Sequence, residues 1–484
     1  MRHFTLLVLL AASAAVPSTA SAGDDALRHG RNLHLQYCVH CHGDNSEGGW
    51  ASSLFDGSWA FGDTRRYIRR NIEDGISERG MPGYKRVLDS EDIDRLMEYI
   101  THREAQETSE GDRREGPDGG PRAVPGELGT LEYTFAAEVF AEGLEIPWGI
   151  AFPDADTALI TERPGPLRVV RGGGLLPDPV EGTPEVLHQG QGGMMEVAVD
   201  PDYADNGWIY LGYTHAIDGE GRPLAMTRIM RGRIEEHRWV DEELVYEAPR
   251  ETYLPTRHHY GVRIVFDHDG YLYFAIGDRG IMEHAQDLGR PNGKIHRVHR
   301  DGRIPEDNPF VAMEGALPTI YSYGHRNPQG LAVHPETGRL WSAEHGPRGG
   351  DALHLISAGR NYGWPVISYG INYDGSVITH RTSHPGMEQP IYYWTPSIAV
   401  CGLDFYRGDL FPRWRNRLLA SALRFEEVQL LNVYEERVMH AEVILKGYGR
   451  VRTAVTGPDG AVYVVQNSPG RVLRLTPKAS PFAE

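Results

Sequence analysis

Cys38-Val39-His40-Cys41-His42 places two thiols three positions apart with an imidazole directly after the second. That spacing suits covalent attachment of haem c, one thioether to each of Cys38 and Cys41, with His42 as an axial ligand to the iron. A structural zinc site would need further cysteines at a second spacing, and the only other one is Cys401. A thioredoxin-type dithiol follows a strand, whereas residues 26–37 read as a helix, with Leu33 and Tyr37 four apart.

Gly80-Met81-Pro82-Gly83 offers a thioether for the far side of the iron, which raises the potential as an electron carrier requires. It lies between a basic helix predicted over 64–74 and an amphipathic helix predicted over 90–103, whose face is Ile93, Leu96, Met97 and Ile100. A lone methionine is more often core packing. The flanking Gly and Pro, and the place just before the last helix, resemble small class I cytochromes c, which implies that Met81 is the second axial ligand. Residues 23–103 are then a small all-α cytochrome c domain. Arg65, Arg66, Arg69 and Arg70 share one helix, pairs four apart on one face, and form a candidate surface for docking on an acidic domain.

The positioning elements frame this motif. Arg2 and His3, an apolar run over 4–16 and the small residues Ala20-Ser21-Ala22 read as a signal peptide over 1–22, so export to the periplasm is expected, where haem c is assembled. The run is too short to span a bilayer, and no membrane-spanning segment is expected elsewhere. With a formal net charge of −18, no nucleic-acid partner is expected. Residues 104–130, rich in Gly, Pro, Glu, Asp and Arg, read as a flexible linker.

Residues 131–484 repeat a pattern of apolar strand, turn and apolar strand. The first strands are Gly149-Ile150-Ala151-Phe152, Val197-Ala198-Val199, Ile264-Val265-Phe266, Leu331-Ala332-Val333, Leu403-Asp404-Phe405 and Ala454-Val455-Thr456. Six such units predict a mainly β fold, a six-bladed β-propeller, with residues 133–140 as the outer strand that closes the ring on the last blade. A sandwich would not repeat one unit six times.

A propeller names no reaction, so function must come from polar groups converging on its channel. His258-His259-Tyr260-Gly261, Gly324-His325-Arg326-Asn327-Pro328-Gln329-Gly330, Glu344-His345-Gly346-Pro347 and Gly449-Arg450-Val451-Arg452 put polar or charged groups at blade entrances and are too unusual for strand filler. Gln189-Gly190-Gln191-Gly192-Gly193, Gly277-Asp278-Arg279-Gly280, the segment from Gly324 to Gly330, the segment from Glu344 to Pro347 and Asn361-Tyr362-Gly363-Trp364-Pro365 follow one another along the chain. In this order, over roughly 135–477, they resemble the soluble glucose/sorbosone dehydrogenases that depend on pyrroloquinoline quinone (PQQ), including the aldose sugar dehydrogenases.

The resemblance implies oxidation of an aldose at its anomeric carbon to the lactone, with hydride passed to PQQ. It implies His259 as general base and Arg326 and Asn327 near the reactive carbonyl, with Arg424, Arg450 and Arg452 on the carboxylates. Imidazole suits proton abstraction near neutral pH, and arginine's fork fits a carboxylate. A catalytic calcium ion would take the backbone carbonyls of Gly346 and Pro347. Gln191, Tyr373 and Arg279 are the implied substrate contacts, and Trp394 is the nearest candidate for an aromatic lid. This chain has His258 where the glucose enzymes carry an acidic partner to the base, Arg279 where they have glutamine, and Asp351-Ala352 where the family often has Asp-Glu. The haem would accept the electrons one at a time and pass them to a periplasmic cytochrome or oxidase. The competing expectations are a cytochrome fused to a non-catalytic propeller that binds carbohydrate or a partner, and the eight-bladed quinoprotein alcohol dehydrogenases, whose adjacent cysteines are absent.

Overall fold

The structure, a computed structural model, describes residues 22–38, 42, 54–55, 65–76, 81–111, 124, 126–373 and 375–478. Cys41, Gly80 and residues 1–21 of the expected signal peptide lie outside the described residues. The chain divides into two compact units between Asp112 and Arg113.

Among the described residues the first unit holds three helices of more than one turn, α1 (Ala22–Tyr37), α2 (Arg65–Asp74) and α3 (Ser90–Gly111). The Asp89 carboxylate accepts the Asp92 N–H at 2.9 Å, capping the start of α3, and Glu91 and Asp92 add negative charge to its first turn. The expected apolar face of α3 is buried against Leu33, Ile68, Ile72 and Leu88, and both Cys38 and Met81 pack at the edge of this core. The main chain of Met81 exchanges two hydrogen bonds with Ile76, which fixes its loop, and the His42 N–H donates to the Cys38 carbonyl at 3.0 Å. The helix runs on to Gly111, eight residues into the stretch read as linker. Of the four arginines on α2, Arg69 turns inward. It donates to Glu73 at 2.7 Å, Asp94 at 2.6 Å and the Ser90 hydroxyl at 2.7 Å, tying α2 to α3 rather than serving a docking face.

The second unit is six antiparallel sheets. Their innermost strands, in chain order, are Pro147–Ala151, Met194–Val199, Ile264–Phe266, Pro328–Val333, Val400–Phe405 and Arg450–Thr456, and these define blades 1 to 6. Every repeat recognised in the sequence falls on or against an innermost strand. The reason is physical: these strands pack on both faces, so each carries a short apolar run. Adjacent blades share cores, for example Trp341, Leu353, Leu403, Phe405 and Leu418 between blades 4 and 5.

The last sheet closes the ring. Thr134–Glu142 pairs antiparallel with Gly470–Pro477, from Phe135 opposite Pro477 to Glu142 opposite Arg471, as residues 133–140 predict. Leu128–Gly129 adds a further short strand from the stretch read as linker. Phe135, fully buried, lies edge-on to Phe411 and Trp414. Phe135→Ala should therefore destabilise the propeller by about 3–5 kcal/mol. Denaturant unfolding of the full chain followed by tryptophan fluorescence measures this, and a change under 1 kcal/mol would show that the closing strand carries no stability.

Candidate active site

The loop entering blade 3 carries His259 in the left-handed region at φ 55°, with Val262 at 61° and Arg279 at 58° nearby. Such conformations cost energy in non-glycine residues and persist where surrounding contacts over-determine them. Those contacts are visible. His259 Nδ1 lies 2.7 Å from Asp278 Oδ1, and the His259 N–H donates to the Gln191 side-chain oxygen at 2.9 Å. Asp278 is itself fixed, accepting from the Trp364 indole N–H and the Gly280 N–H, each at 2.8 Å. At Gly277 a Cβ would come within 2.5 Å of the His259 carbonyl and 2.8 Å of Asn327 Oδ1, so only glycine lets these loops meet.

With Nδ1 held as donor to a carboxylate, Nε2 carries the lone pair, which is the arrangement a general base needs. Burial lowers the His259 pKa below the usual imidazole value, against the hydrogen bond to Asp278 that raises it, and Arg326 lowers it further. The imidazole is therefore neutral and ready to accept a proton at neutral pH. The same contacts hold Asp278 as a carboxylate: burial would raise it, but His259 and Arg326 bring it below the ordinary range.

Asp278 also joins His259 to the next blade, its N–H donating to the Arg326 carbonyl at 2.7 Å. The Arg326 guanidinium donates to the carbonyls of His345, at 2.9 Å, and Gly346, at 2.6 Å. The Arg326 main-chain N–H donates to the buried Glu344 at 2.6 Å. Burial would raise the Glu344 pKa, but the hydrogen bond with His354, at 2.9 Å, and the nearby His325 hold it well below the usual range. Asn327 Oδ1 accepts from Gly261 at 3.3 Å and from Gln329 at 3.2 Å. The Pro347 carbonyl accepts from the Ser397 hydroxyl at 2.9 Å, and behind this loop Asp351 accepts the N–H groups of Gly346 and Val400. Burial pushes Asp351 up to about 6.

The arginines face one another. Arg452, 7 % exposed, has burial and the charges of Arg263, Arg163 and Arg450 lowering its pKa to about 10, and it remains cationic at neutral pH. Its Nε, the Arg163 Nε and the His345 Nε2 are buried without hydrogen-bond partners. Uncompensated buried cations are costly unless an anion pairs with them. Burial, together with the charges of Arg452, Arg326 and Arg450, holds His345 neutral.

Two expectations need correction, the roles of Arg279 and Trp394, and the base has a partner that the resemblance did not assign. The carboxylate partner of His259 is Asp278, not a group at position 258; His258 stands beside the base with ring centroids 4.7 Å apart. Arg279 is fully buried over the Tyr260 ring and spends its five donors on the carbonyls of His258, Ala225 and Thr256, the Met226 sulfur and the Thr256 hydroxyl, so it has no donor left for a substrate. Trp394 is 5 % exposed and donates to Gln429, which makes it part of the blade 4 core and not a lid. Tyr373, at 71 % exposure, and Arg424 stand in solvent, while Arg450 is half-buried. Sequence reasoning missed Asp278, Trp364, His345 and Gln329. All four lie inside motifs singled out above, and the signal overlooked was the carboxylate in Gly277-Asp278-Arg279-Gly280.

The chain is matched by the Glucose / Sorbosone dehydrogenase family over residues 144–474. It belongs to that family. Residues 25–100 match the family described as Cytochrome C oxidase, cbb3-type, subunit III, so this dehydrogenase carries a cytochrome c domain ahead of its propeller. Over 353 residues it is 40 % identical to the aldose sugar dehydrogenase YliI of Escherichia coli, covering 71 % of this chain and 94 % of that protein. The crystal structure of the soluble aldose sugar dehydrogenase of Escherichia coli in the apo-form superposes with a TM-score of 0.67 at 38 % identity, covering 71 % of this chain and all of that one. The PQQ-bound form of the aldose sugar dehydrogenase of Streptomyces coelicolor superposes at 0.58 with 25 % identity, covering 74 % and 100 %. No helix among the described residues is long and apolar enough to cross a membrane.

Proposed function

We propose that this family member is a periplasmic dehydrogenase that oxidises an aldose at its anomeric carbon to the lactone, with PQQ as hydride acceptor and haem c as the outlet for electrons. The observation that carries this reading is the neutral His259, fixed by Asp278 in the tautomer of a base, beside a cluster of buried guanidinium groups without enough anions to match them. PQQ is a tricarboxylate, and Arg452, Arg450, Arg326 and Asn327 are the residues that would hold it. The unpartnered Arg452 Nε and the mutual repulsion around it fit an anionic guest. When bound, PQQ supplies an electrophilic carbonyl system that takes up hydride.

His259 Nε2 takes the proton of the anomeric hydroxyl, and Asp278 steadies the imidazolium that results. Gln191 keeps the base in register through its main chain. Arg326 keeps positive charge over the carbonyl oxygens of the 345–346 loop. For calcium the fit is through main-chain oxygens: the carbonyls of Gly346 and Pro347 each keep a second lone pair beyond those given to Arg326 and Ser397. Among the described residues no group of three acidic, His or Cys side chains offers another cage. Cys38, Cys41, His42 and Met81 would attach and ligate the haem, from which a periplasmic cytochrome or oxidase takes electrons.

The test uses the full haem-loaded chain. Aldose should reduce the haem, seen in its absorbance, only after PQQ and calcium are added. Reduction without PQQ, or none with any aldose, overturns the reading and leaves a cytochrome fused to a binding propeller.

A further inference from the structure

Six residues, one from each blade, meet across the channel: Trp148, Glu196, Arg263, Gln329, Cys401 and Arg452. Each lies within three positions of the start of its innermost strand, with Arg263 just ahead of its own, so the propeller's symmetry puts them at one level. All are buried. Arg263 Nη1 pairs with Glu196 Oε2 at 2.6 Å, and its Nε donates to the Gln329 carbonyl at 3.2 Å. The Gln329 side chain then accepts from Arg452 Nη1 at 2.9 Å and donates to Asn327. The guanidinium carbons of Arg263 and Arg452 lie 4.3 and 5.1 Å from the Trp148 ring centroid. The Cys401 thiol donates to the carbonyl of Val451, next to Arg452, at 3.3 Å.

On one side of this layer stand His259, Arg326 and the 345–347 loop. On the other, Glu196 and Arg263 line a cavity of ≈ 940 Å³ walled by the far ends of the same strands, from Phe152 to Asp404 and Asp459. The Arg452 guanidinium donates to Gln329 and lies over Trp148, both of which belong to the layer.

We propose that the layer is a septum that floors the cofactor pocket, and that the Glu196–Arg263 ion pair is its positioning element, setting Arg452 and Asn327 through Gln329. Glu196 and Arg263 touch neither sugar nor cofactor; they act through Gln329. Burial pushes the Glu196 carboxyl up to about 7 against the pull of Arg263, so near neutral pH the pair cancels part of one guanidinium charge in the layer, and Arg452 is the cation directed at an anionic guest. This rests on the reading that the pocket takes PQQ.

The test is a double-mutant cycle on the full haem-loaded chain, with PQQ affinity measured by titration calorimetry. One arm is Arg263→Met with Glu196→Gln, which removes the pair without stranding a charge. The other is Gln329→Met, which leaves the pair and removes the side-chain relay. Each arm should weaken PQQ binding at least about tenfold, and the combination should weaken it no further than the worse arm, because both break one path. Affinity unchanged in either folded arm, or losses that multiply, overturns the septum as a positioning device. If the unaltered chain binds no PQQ, the functional reading fails instead. If the Arg263→Met arm does not fold, Gln329→Met alone decides by the same affinity criterion, and its KM for aldose at saturating PQQ should not move.

Discussion

His259→Ala should lower kcat for aldose oxidation by about 10²–10⁴-fold, or roughly 3–5 kcal/mol of transition-state stabilisation, and leave PQQ affinity unchanged. The separation of the two effects is what the geometry demands. His259 is bonded to Asp278 and Gln191, and the cationic groups assigned to the cofactor are tied instead to Gln329 and the 345–346 carbonyls. The pH dependence gives a second reading of the same group. Burial lowers the His259 pKa, so the base is neutral above that value and is lost as pH falls through it. The acid limb of kcat/KM should then lie below the ordinary imidazole value of about 6.5. Asp278→Asn removes a contribution that raises this pKa, so the limb should move lower still. It also no longer fixes Nδ1–H as donor, so the plateau should fall. An acid limb that stays put with an unchanged plateau would show that Asp278 does not act on the base.

Much of the architecture was legible because blade repeats announce themselves chemically. Innermost strands must be apolar on both faces, and the six runs from Ile150 to Val455 mark the core layer of each sheet. The closing strand was legible from the alternation of residues 133–140. The linker boundaries were less so: helix propensity continues through Glu104, Ala105 and Gln106 with no breaker until Gly111, so α3 outlasts its apolar face. Site residues followed the same division. His259, Arg326 and Arg452 carry chemistry that stands out in type. Asp278 was overshadowed by its neighbour Arg279, because a one-dimensional pattern does not say which of two adjacent charged side chains faces the channel. The left-handed backbone at Arg279 decides it, turning that guanidinium under Tyr260 and leaving Asp278 to the base. Residues that act across blades, such as Gln329, sit inside a conspicuous motif, but nothing local says which partners on other blades they reach.

Arg452→Met should produce two opposite effects. In the absence of PQQ the folded propeller carries Arg452 against Arg263, Arg163 and Arg450, and the pKa lowered to about 10 reports a cation disfavoured by burial and by these neighbours. Removing a buried charge that lacks a full partner relieves a penalty of several kcal/mol, which exceeds the roughly 1.5–3 kcal/mol of the one bond lost to Gln329. The midpoint of thermal unfolding without PQQ should therefore rise. Binding moves the other way. Deleting one member of a buried, hydrogen-bonded charge pair costs about 2–5 kcal/mol, or roughly 30-fold to several-thousand-fold in Kd. Because a ligand stabilises the native state only in proportion to its occupancy, the increase in unfolding temperature on adding PQQ should be large for the unaltered protein and nearly absent for the variant. Differential scanning calorimetry with and without PQQ reads both effects in one pair of scans. A variant that melts lower without PQQ yet keeps its PQQ-induced shift would make Arg452 a structural residue of the channel and remove it from the cofactor site.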